Sequence, residues 1–217
     1  MSIEKAVTYT NKNTYTTLNT FTEKTKNVWL VFHGMGYLSK YFVRYFSEIS
    51  KEKNYVIAPQ APSKYYQGKN FKHVGASWLT RENTIEETKN VLNYIDAIWK
   101  NEKPEKDTIN LIILGYSQGV SIATRWAATR KIQCNHLVLH SGAIPTELEP
   151  TDFNYLHPNT NVTYLYGDKD EYINEARKTE QTLKGNNLFG NKLNIIKFEG
   201  IHEVYKPFLK QLSGENN

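Results

Sequence analysis

The chain has 217 residues, of which 39% are hydrophobic and 23% are charged, which is ordinary for a globular protein with one buried core. Its net charge is +5, but the lysines are scattered and no RNA-binding motif, zinc finger or long basic run accompanies them, so no nucleic-acid partner is expected. Cys134 is the only cysteine, no apolar run approaches the ~20 residues of a membrane span, and no signal peptide is visible, so we expect a cytoplasmic protein.

The predicted elements alternate between strands and helices along the chain. Residues 6–20 alternate Thr, Tyr and Val around Asn11-Lys12-Asn13, which predicts an N-terminal β-hairpin, within residues 1–26, at a sheet edge. Continuous apolar runs, typical of strands buried on both faces, then occupy 28–32, 55–58, 111–114, 136–140, 162–166 and 193–198. Helical patterns cover roughly 38–50, 84–101, 118–130, 171–184 and 203–212. This order predicts a single α/β domain over residues 1–217, with a mostly parallel sheet, helices on both faces and no separate lid domain.

In a sheet of this kind, the working site lies beyond the carboxyl ends of the strands. The apolar run 111–114 leads directly into Gly115-Tyr116-Ser117-Gln118-Gly119 and then into a helical pattern. A serine on a sharp strand-to-helix turn keeps its hydroxyl exposed, and the glycines two residues to either side remove steric clashes. Ser117 is therefore the predicted nucleophile, and an ordinary glycine-rich turn is the alternative.

A nucleophilic serine needs a histidine base, which needs an orienting carboxylate, and with such a serine turn the chain order is Ser, acid, His. His136 and His140 lie in or at the end of a predicted strand, which favours a core role, and His157 lies in a polar stretch. His202 follows the last predicted strand and precedes the last predicted helix. We predict that His202 is the base, with a solvent-exposed loop histidine as the alternative.

The segment after strand 162–166 offers three carboxylates for orienting the base. Asp170 lies deeper in the loop, where its carboxylate can bend back toward His202 Nδ1. Asp168 lies at the strand end and suits an Asx turn with the loop backbone, and Glu171 suits the start of the next helix. This reasoning favours Asp170 as the acid.

An acyl-transfer site also needs two backbone donors for the oxyanion that forms during the reaction. One is expected from Gln118, the residue after the nucleophile. The other is expected from Met35, in the turn His33-Gly34-Met35-Gly36 after the first apolar run, where the glycines permit a close approach. We interpret His33 as a buried histidine that braces this turn by hydrogen bonds.

Seven short segments that contain the candidate site residues or neighbouring loop motifs follow one another along the chain. They are Val31-Phe32-His33-Gly34-Met35-Gly36, Ala58-Pro59-Gln60-Ala61-Pro62-Ser63, Ser77-Trp78-Leu79, Gly115-Tyr116-Ser117-Gln118-Gly119, Ser141-Gly142-Ala143-Ile144-Pro145, Gly167-Asp168-Lys169-Asp170 and Gly200-Ile201-His202-Glu203. Together they resemble the phospholipase/carboxylesterase family of α/β-hydrolases, which includes the acyl-protein thioesterases. The resemblance implies the α/β-hydrolase fold and supports Asp170 as the acid. It also implies activity on a small-molecule ester or thioester without a metal or an organic cofactor.

The walls of the substrate pocket are expected from residues in or beside these segments. Tyr37 stands where the family usually has Asp after its His-Gly-x-Gly turn. Trp78, Tyr37 and Ile144 are expected to line the pocket. The segment 62–84 is long and aromatic, which is typical of a functional loop, so we expect it to form one wall of the acyl pocket. A loop that only packs down through its aromatic side chains is the alternative.

The sequence therefore predicts a serine hydrolase that cleaves ester or thioester bonds of small or linear acyl substrates through an acyl-enzyme on Ser117. A peptidase or an acyltransferase that uses the same three residues is one alternative. A catalytically silent binding protein with the same fold is another, although the intact set of Ser117, Asp170 and His202 argues against it. The sequence leaves the oligomeric state open.

Overall fold

The computed structural model describes residues 2–102 and 109–215. The strands are β1 (Tyr15–Leu18), β2 (Asn27–Phe32), β3 (Asn54–Pro59), β4 (Ser63–Gln67), β5 (His73–Ser77), β6 (Asn110–Tyr116), β7 (His136–His140), β8 (Asn161–Gly167) and β9 (Leu193–Phe198). The α-helices are α1 (Ser39–Phe42), α2 (Thr84–Glu102), α3 (Gln118–Arg130), α4 (Glu175–Phe189) and α5 (Lys206–Leu212). Short 3₁₀ turns lie at Val43–Phe46, Pro150–Phe153 and Gly190–Lys192.

The described residues form a seven-stranded sheet with the order β1-β3-β2-β6-β7-β8-β9. Neighbouring strands from β3 to β9 run parallel, and β1 pairs antiparallel with β3 at one edge. The parallel strands therefore end at one side of the sheet, where the loops after β2, β6, β8 and β9 open together. The predicted mostly parallel α/β fold is confirmed.

Both faces of the sheet are covered by apolar side chains from helices. On one face, α2, α3 and α4 pack against the strands in a core that includes Leu30, Ile95 and Trp126. On the other face, α1 and α5 pack in a core that includes Trp29 and Phe46. Trp29 and Leu30 are adjacent in β2 and point to opposite faces, as the two-residue period of a strand requires. Burial on both faces explains why the strand sequences are continuous apolar runs.

An antiparallel strand at the sheet edge is confirmed, but its partner differs from the predicted hairpin within residues 1–26. β1 pairs with β3, with Tyr15 opposite Pro59, and residues 2–14 form no strand. The unpaired edge of β3 offers backbone donors and acceptors to β1, whereas an isolated two-stranded hairpin is only marginally stable. Only the last part of the Thr and Tyr alternation, Tyr15–Leu18, therefore belongs to a strand, and that strand is in the main sheet.

The segment 62–84, predicted as a long loop, contains a two-stranded antiparallel hairpin made of β4 and β5. The connection between them includes Gly68 with a φ of +72°, a conformation that glycine adopts readily. The hairpin lies against the turn that follows β2. Gln67 Nε2 donates to Gly36 O at 2.9 Å, and the Gly36 N–H donates to Ala76 O at 2.9 Å. The hairpin thus supports a loop at the carboxyl edge of the sheet.

The helices α2 and α3 have nearly the predicted bounds, and the other helices differ at their ends. The predicted helix 38–50 shortens to α1 and a 3₁₀ turn, in a stretch rich in aromatic residues that form helices weakly. α4 begins only at Glu175 because the Asn174 side chain caps it there. α5 also begins later than predicted, with Pro207 in its first turn. Within the described ranges, no helix has both the length and the apolar character needed to span a membrane.

Candidate active site

Ser117 lies on the sharp turn between β6 and α3, with a φ of +53° and a ψ of −120°. This conformation persists only where the surrounding structure enforces it. A Cβ on Gly119 would lie 2.1 Å from Phe32 O, and a Cβ on Gly115 would lie 2.5 Å from Gly119 O, so only glycine fits at either place. The Ser117 N–H donates to His140 O at 2.8 Å. The strand ends therefore hold Ser117 firmly at the carboxyl edge of the sheet.

His202 and Asp170 join Ser117 in a continuous chain of hydrogen bonds. His202 Nε2 lies 3.0 Å from Ser117 Oγ, and His202 Nδ1 lies 2.7 Å from Asp170 Oδ2. The other carboxylate oxygen of Asp170 accepts the Tyr172 N–H at 2.9 Å. The Asp170 side chain is fully buried, whereas that of His202 is 17% exposed. With the carboxylate ionised, Nδ1 donates to it and Nε2 is left to accept the proton of the Ser117 hydroxyl.

Asp168 makes a different set of contacts from Asp170. Its Oδ1 accepts the Gly200 N–H at 2.9 Å, and this hydrogen bond lowers the pKa of the Asp168 carboxyl. The adjacent Lys169 N–H donates to Gly200 O at 2.9 Å. These two bonds tie the loop that carries His202 to the end of β8. Asp168 thus binds loop backbone as predicted, but that of the His202 loop rather than its own through an Asx turn, and Asp170 contacts the imidazole.

His33 braces the turn that follows β2. The ring is fully buried, its Nδ1 donates to Gly34 O at 2.8 Å, and its Nε2 accepts the Ala61 N–H at 3.1 Å. Burial lowers the pKa of His33 to about 4, so the imidazole is neutral near pH 7. The Trp78 indole N–H donates to His33 O at 2.8 Å. These contacts agree with the interpretation of His33 as a bracing residue.

The side chain of Gln118 is anchored by the residues at and after the end of β5. Its Oε1 accepts the Trp78 N–H at 2.8 Å, and its Nε2 donates to Leu79 O at 2.8 Å and to Ser77 Oγ at 3.0 Å. Gln118 is the first residue of α3, so its backbone N–H lies at the positive end of the helix dipole. The anchored side chain therefore holds a backbone donor beside Ser117.

Met35 and Gln118, the predicted oxyanion donors, both line the cleft at Ser117. Gly34 brings the turn after β2 against Ser117, because a Cβ on Gly34 would lie only 3.0 Å from Ser117 Cβ. Gly36, on the other side of Met35, has a φ of +87°, which allows the chain to turn back toward β5. Two backbone segments thus approach the serine from different loops, which suits stabilisation of a negative oxygen.

An open cleft of about 810 Å³ lies over Ser117 and His202. Tyr37, one of the predicted wall residues, lines this cleft. Trp78 and Ile144 do not line it, because each is only 1% exposed and packs in the core beneath the sheet edge. Their prediction as pocket residues is corrected. Large apolar side chains are most stable when fully buried, so these two lie in the core rather than on an open cleft wall.

Sequence reasoning did not single out three residues that lie around His202. The Tyr116 hydroxyl donates to His202 O at 2.9 Å, and the Tyr116 ring centroid is 5.3 Å from that of His202. The Tyr172 ring centroid is 4.7 Å from the imidazole, and Arg177 Nη1 donates to Tyr172 O at 3.0 Å. Their positions, inside the serine motif and shortly after Asp170, are signals that could have found the two tyrosines.

His140, at the end of β7, supports the same loop without facing the cleft. Its Nε2 accepts the Tyr205 N–H at 2.9 Å, and its Nδ1 lies 3.0 Å from Ser141 Oγ. Burial lowers the pKa of His140 to about 3, so the ring stays neutral. His202 is the histidine among the residues that line the cleft. Across residues 2–102 and 109–215, no cluster of three or more His, Cys, Asp or Glu side chains is arranged to hold a metal ion.

The parallel sheet and the serine turn at its carboxyl edge define an α/β-hydrolase fold. Residues 13–213 match the family described as Phospholipase/Carboxylesterase, and the chain belongs to that family. Membership indicates a hydrolase of the esterase or thioesterase type. A search among curated proteins finds none that matches the chain.

Solved structures with the same fold include a thioesterase and two esterases. Acyl-protein thioesterase 2 of Zea mays has a TM-score of 0.66 and 14% identity, over 94% of this chain and 97% of that one. Esterase PE8 has a TM-score of 0.66 and 19% identity, over 94% and 97% of the two chains. The carboxylesterase of Bacillus cereus has a TM-score of 0.60 and 18% identity, over 93% and 92%. At these identities, the likeness is one of fold.

Acid pH should destabilise the protein in part through His33. Its pKa falls from an ordinary 6.5 to about 4 on folding, so its stabilising effect is complete above pH 6.5 and is lost as the pH falls toward 4. A difference of about 2.5 pH units corresponds to about 3 kcal/mol. The free energy of unfolding in urea should therefore fall between neutral pH and pH 4 in the wild type. In His33→Gln this fall should be smaller by about 3 kcal/mol. The exposed His157→Gln is the control, and an equal acid loss in wild type and His33→Gln would contradict this role.

Removing the Tyr116 hydroxyl should loosen the backbone of His202, while the aromatic ring of residue 116 stays packed beside the imidazole. We expect Tyr116→Phe to lower kcat about fivefold for p-nitrophenyl acetate, the effect of one hydrogen bond, with little change in KM. Tyr155→Phe is the matched control, because its hydroxyl also donates to a backbone carbonyl, that of Ala127, away from the cleft. A rise in KM at constant kcat would assign Tyr116 to substrate binding instead.

Proposed function

We propose that this protein is a serine hydrolase that cleaves carboxylic ester or thioester bonds of small or linear acyl substrates. The observation that carries the proposal is the unbroken hydrogen-bonded chain from Ser117 Oγ through His202 to Asp170. Membership in the phospholipase/carboxylesterase family supports the same reaction class. A cytoplasmic location and a single domain over residues 1–217 stay predictions.

In the first half of the reaction, Ser117 Oγ attacks the carbonyl carbon of the ester or thioester. His202 Nε2 takes the hydroxyl proton as the new C–O bond forms, and Asp170 stabilises the resulting imidazolium. The carbonyl oxygen becomes an oxyanion, which the backbone N–H groups of Met35 and Gln118 stabilise. Collapse of this intermediate breaks the bond to the alcohol or thiol, which leaves with the proton that His202 returns.

In the second half, water replaces the departed alcohol or thiol beside His202. The imidazole takes a proton from the water, whose oxygen attacks the acyl carbon of the ester on Ser117. The second intermediate collapses, Ser117 Oγ regains a proton from His202, and the carboxylic acid is released. Both halves use the same oxyanion donors and the same base, so no further group is required.

The cleft supports small or linear substrates. It holds about 810 Å³ and opens directly over Ser117 and His202, so an ester can reach Oγ from the surface. Its floor and walls combine the backbone of the Ser117 turn and of the turn after β2 with the rings of Tyr37, Tyr116 and Tyr172. Apolar ring faces next to backbone donors suit an acyl ester, which has an apolar chain and one polar centre.

Removing the proposed nucleophile should reduce turnover more than removing the proposed acid. Ser117→Ala should lower kcat for p-nitrophenyl acetate by roughly 10⁶-fold, because no acyl-enzyme can form. Asp170→Asn should lower it by roughly 10⁴-fold, because an amide neither fixes the tautomer of His202 nor stabilises its cation. Initial rates across this series measure both effects.

Asp168→Asn provides the matched control for the acid, since Asp168 lies two residues away and binds Gly200 rather than His202. We expect it to reduce kcat by less than about tenfold, the cost of one hydrogen bond in the supporting loop. Rates in Ser117→Ala close to those of the wild type would overturn the proposed function. Equal losses in the two aspartate variants would overturn the assignment of Asp170.

A further inference from the structure

The side of the cleft on which the alcohol or thiol leaves can be located from the proposed function. His202 must return its proton to the departing oxygen or sulfur, so the leaving group lies next to Nε2 at that moment. Side chains around His202 are therefore the ones that contact the leaving group. Tyr172, whose ring centroid is 4.7 Å from the imidazole and whose side chain is exposed, lies on this wall.

Two cationic side chains, Lys169 and Arg177, line the same wall of the cleft. The Arg177 guanidinium is fixed there because its Nη1 donates to Tyr172 O at 3.0 Å. This bond uses one of five guanidinium N–H groups, and within the described part of the chain no other residue accepts from the remaining four. Arg177 is exposed and lines the cleft, so its free guanidinium N–H groups are accessible to a ligand there, and the planar fork of a guanidinium matches the geometry of a carboxylate.

The other charges near the wall weaken the attraction of Lys169 and Arg177 for an anion but do not cancel it. Lys169 Nζ lies 3.6 Å from Glu199 Oε1, but both side chains are more than half exposed, so the pair holds the lysine only weakly. Glu171 also lines the cleft and opposes an incoming anion. The buried Asp170 is already paired with His202. Glu199 lies outside the cleft lining, so among the lining residues the two cations face one accessible acid, Glu171, and the wall has a positive balance.

We propose that Lys169, Tyr172 and Arg177 form a leaving-group subsite, and that the enzyme prefers esters or thioesters whose alcohol or thiol part carries an anionic group. The proposal rests on the proposed function, because it takes the leaving-group side from the role of His202. The Tyr172 ring contacts the body of the leaving group, and the two cations attract its charge. Exposed charge pairs contribute modestly, so we expect about a threefold preference from each cation at low salt.

The test compares two aryl esters that differ only in charge on the leaving group. They are meta-acetoxybenzoate, which carries a carboxylate, and meta-acetoxybenzamide, its neutral amide of the same size, which has no second ester bond. The measured quantity is the ratio of kcat/KM for the anionic ester to that for the neutral ester. Intrinsic reactivity cancels when this ratio is compared between variants. We expect the ratio to fall about threefold in Arg177→Gln and in Lys169→Gln, to rise in Glu171→Gln, and to fall with added salt in the wild type.

Lys184→Gln is the charge-matched control, because Lys184 lies on α4 as Arg177 does but donates to Thr146 O outside the cleft lining. It should leave the ratio unchanged. A second pair of substrates, monophenyl succinate and phenyl butyrate, places the charge on the acyl side. We expect Arg177→Gln to leave that second ratio unchanged, because the acyl chain lies away from the wall that receives the leaving group.

The outcomes separate the two claims. If the wild type hydrolyses both aryl esters but Arg177→Gln and Lys169→Gln leave their ratio unchanged, the subsite is overturned and the hydrolase stands. If Lys184→Gln lowers the ratio as much as Arg177→Gln does, the preference comes from the net charge of the protein and the subsite is also overturned. A fall in the acyl-side ratio in Arg177→Gln overturns the assignment to the leaving group. Absence of hydrolysis of every ester overturns the proposed function itself.

Discussion

Ser117 is held at a φ of +53° and a ψ of −120°, a conformation that costs an L-residue roughly 1–3 kcal/mol. The cost is sustained because the strand ends pack tightly around the turn. The Ser117 N–H donates to His140 O, and Gly119 lies so close to Phe32 O that no Cβ would fit. Relaxing the serine would require β2, β6 and β7 to move apart. The core of the sheet therefore fixes the hydroxyl.

The same parallel strands bring the partners of Ser117 to it. Because these strands end on one side of the sheet, the loops after β2, β8 and β9 open around the serine turn. The loop after β8 carries Asp170, the loop after β9 carries His202, and the turn after β2 carries Met35. Each loop is anchored by hydrogen bonds to a neighbour, so the catalytic geometry we propose is a property of the fold. The charged wall that we assign to the leaving group belongs to the same β8 loop and the helix after it.

The turn at Ser117 can be predicted from sequence because all its signals are local. The apolar run, the two glycines and the helical pattern follow one another directly. The partner of β1 could not be predicted, because the free edge of β3 competes with a local hairpin. Trp78 and Ile144 were misplaced because a large apolar residue near a site suits a pocket wall and a core equally in sequence. The serine motif places Tyr116 beside Ser117, but its hydrogen bond to His202 O joins residues 86 apart, so this partner could not be predicted from a local pattern.

Reaction with a fluorophosphonate probe, followed by mass spectrometry of the digested protein, tests the activation of Ser117 most directly. The serine oxygen attacks phosphorus and displaces fluoride, and this step is rapid only when a base accepts the hydroxyl proton. The account predicts one phosphonyl adduct, on the peptide that contains Ser117, and much slower labelling in His202→Ala. No adduct on the native protein, an adduct on a different residue, or an undiminished labelling rate in His202→Ala would contradict it.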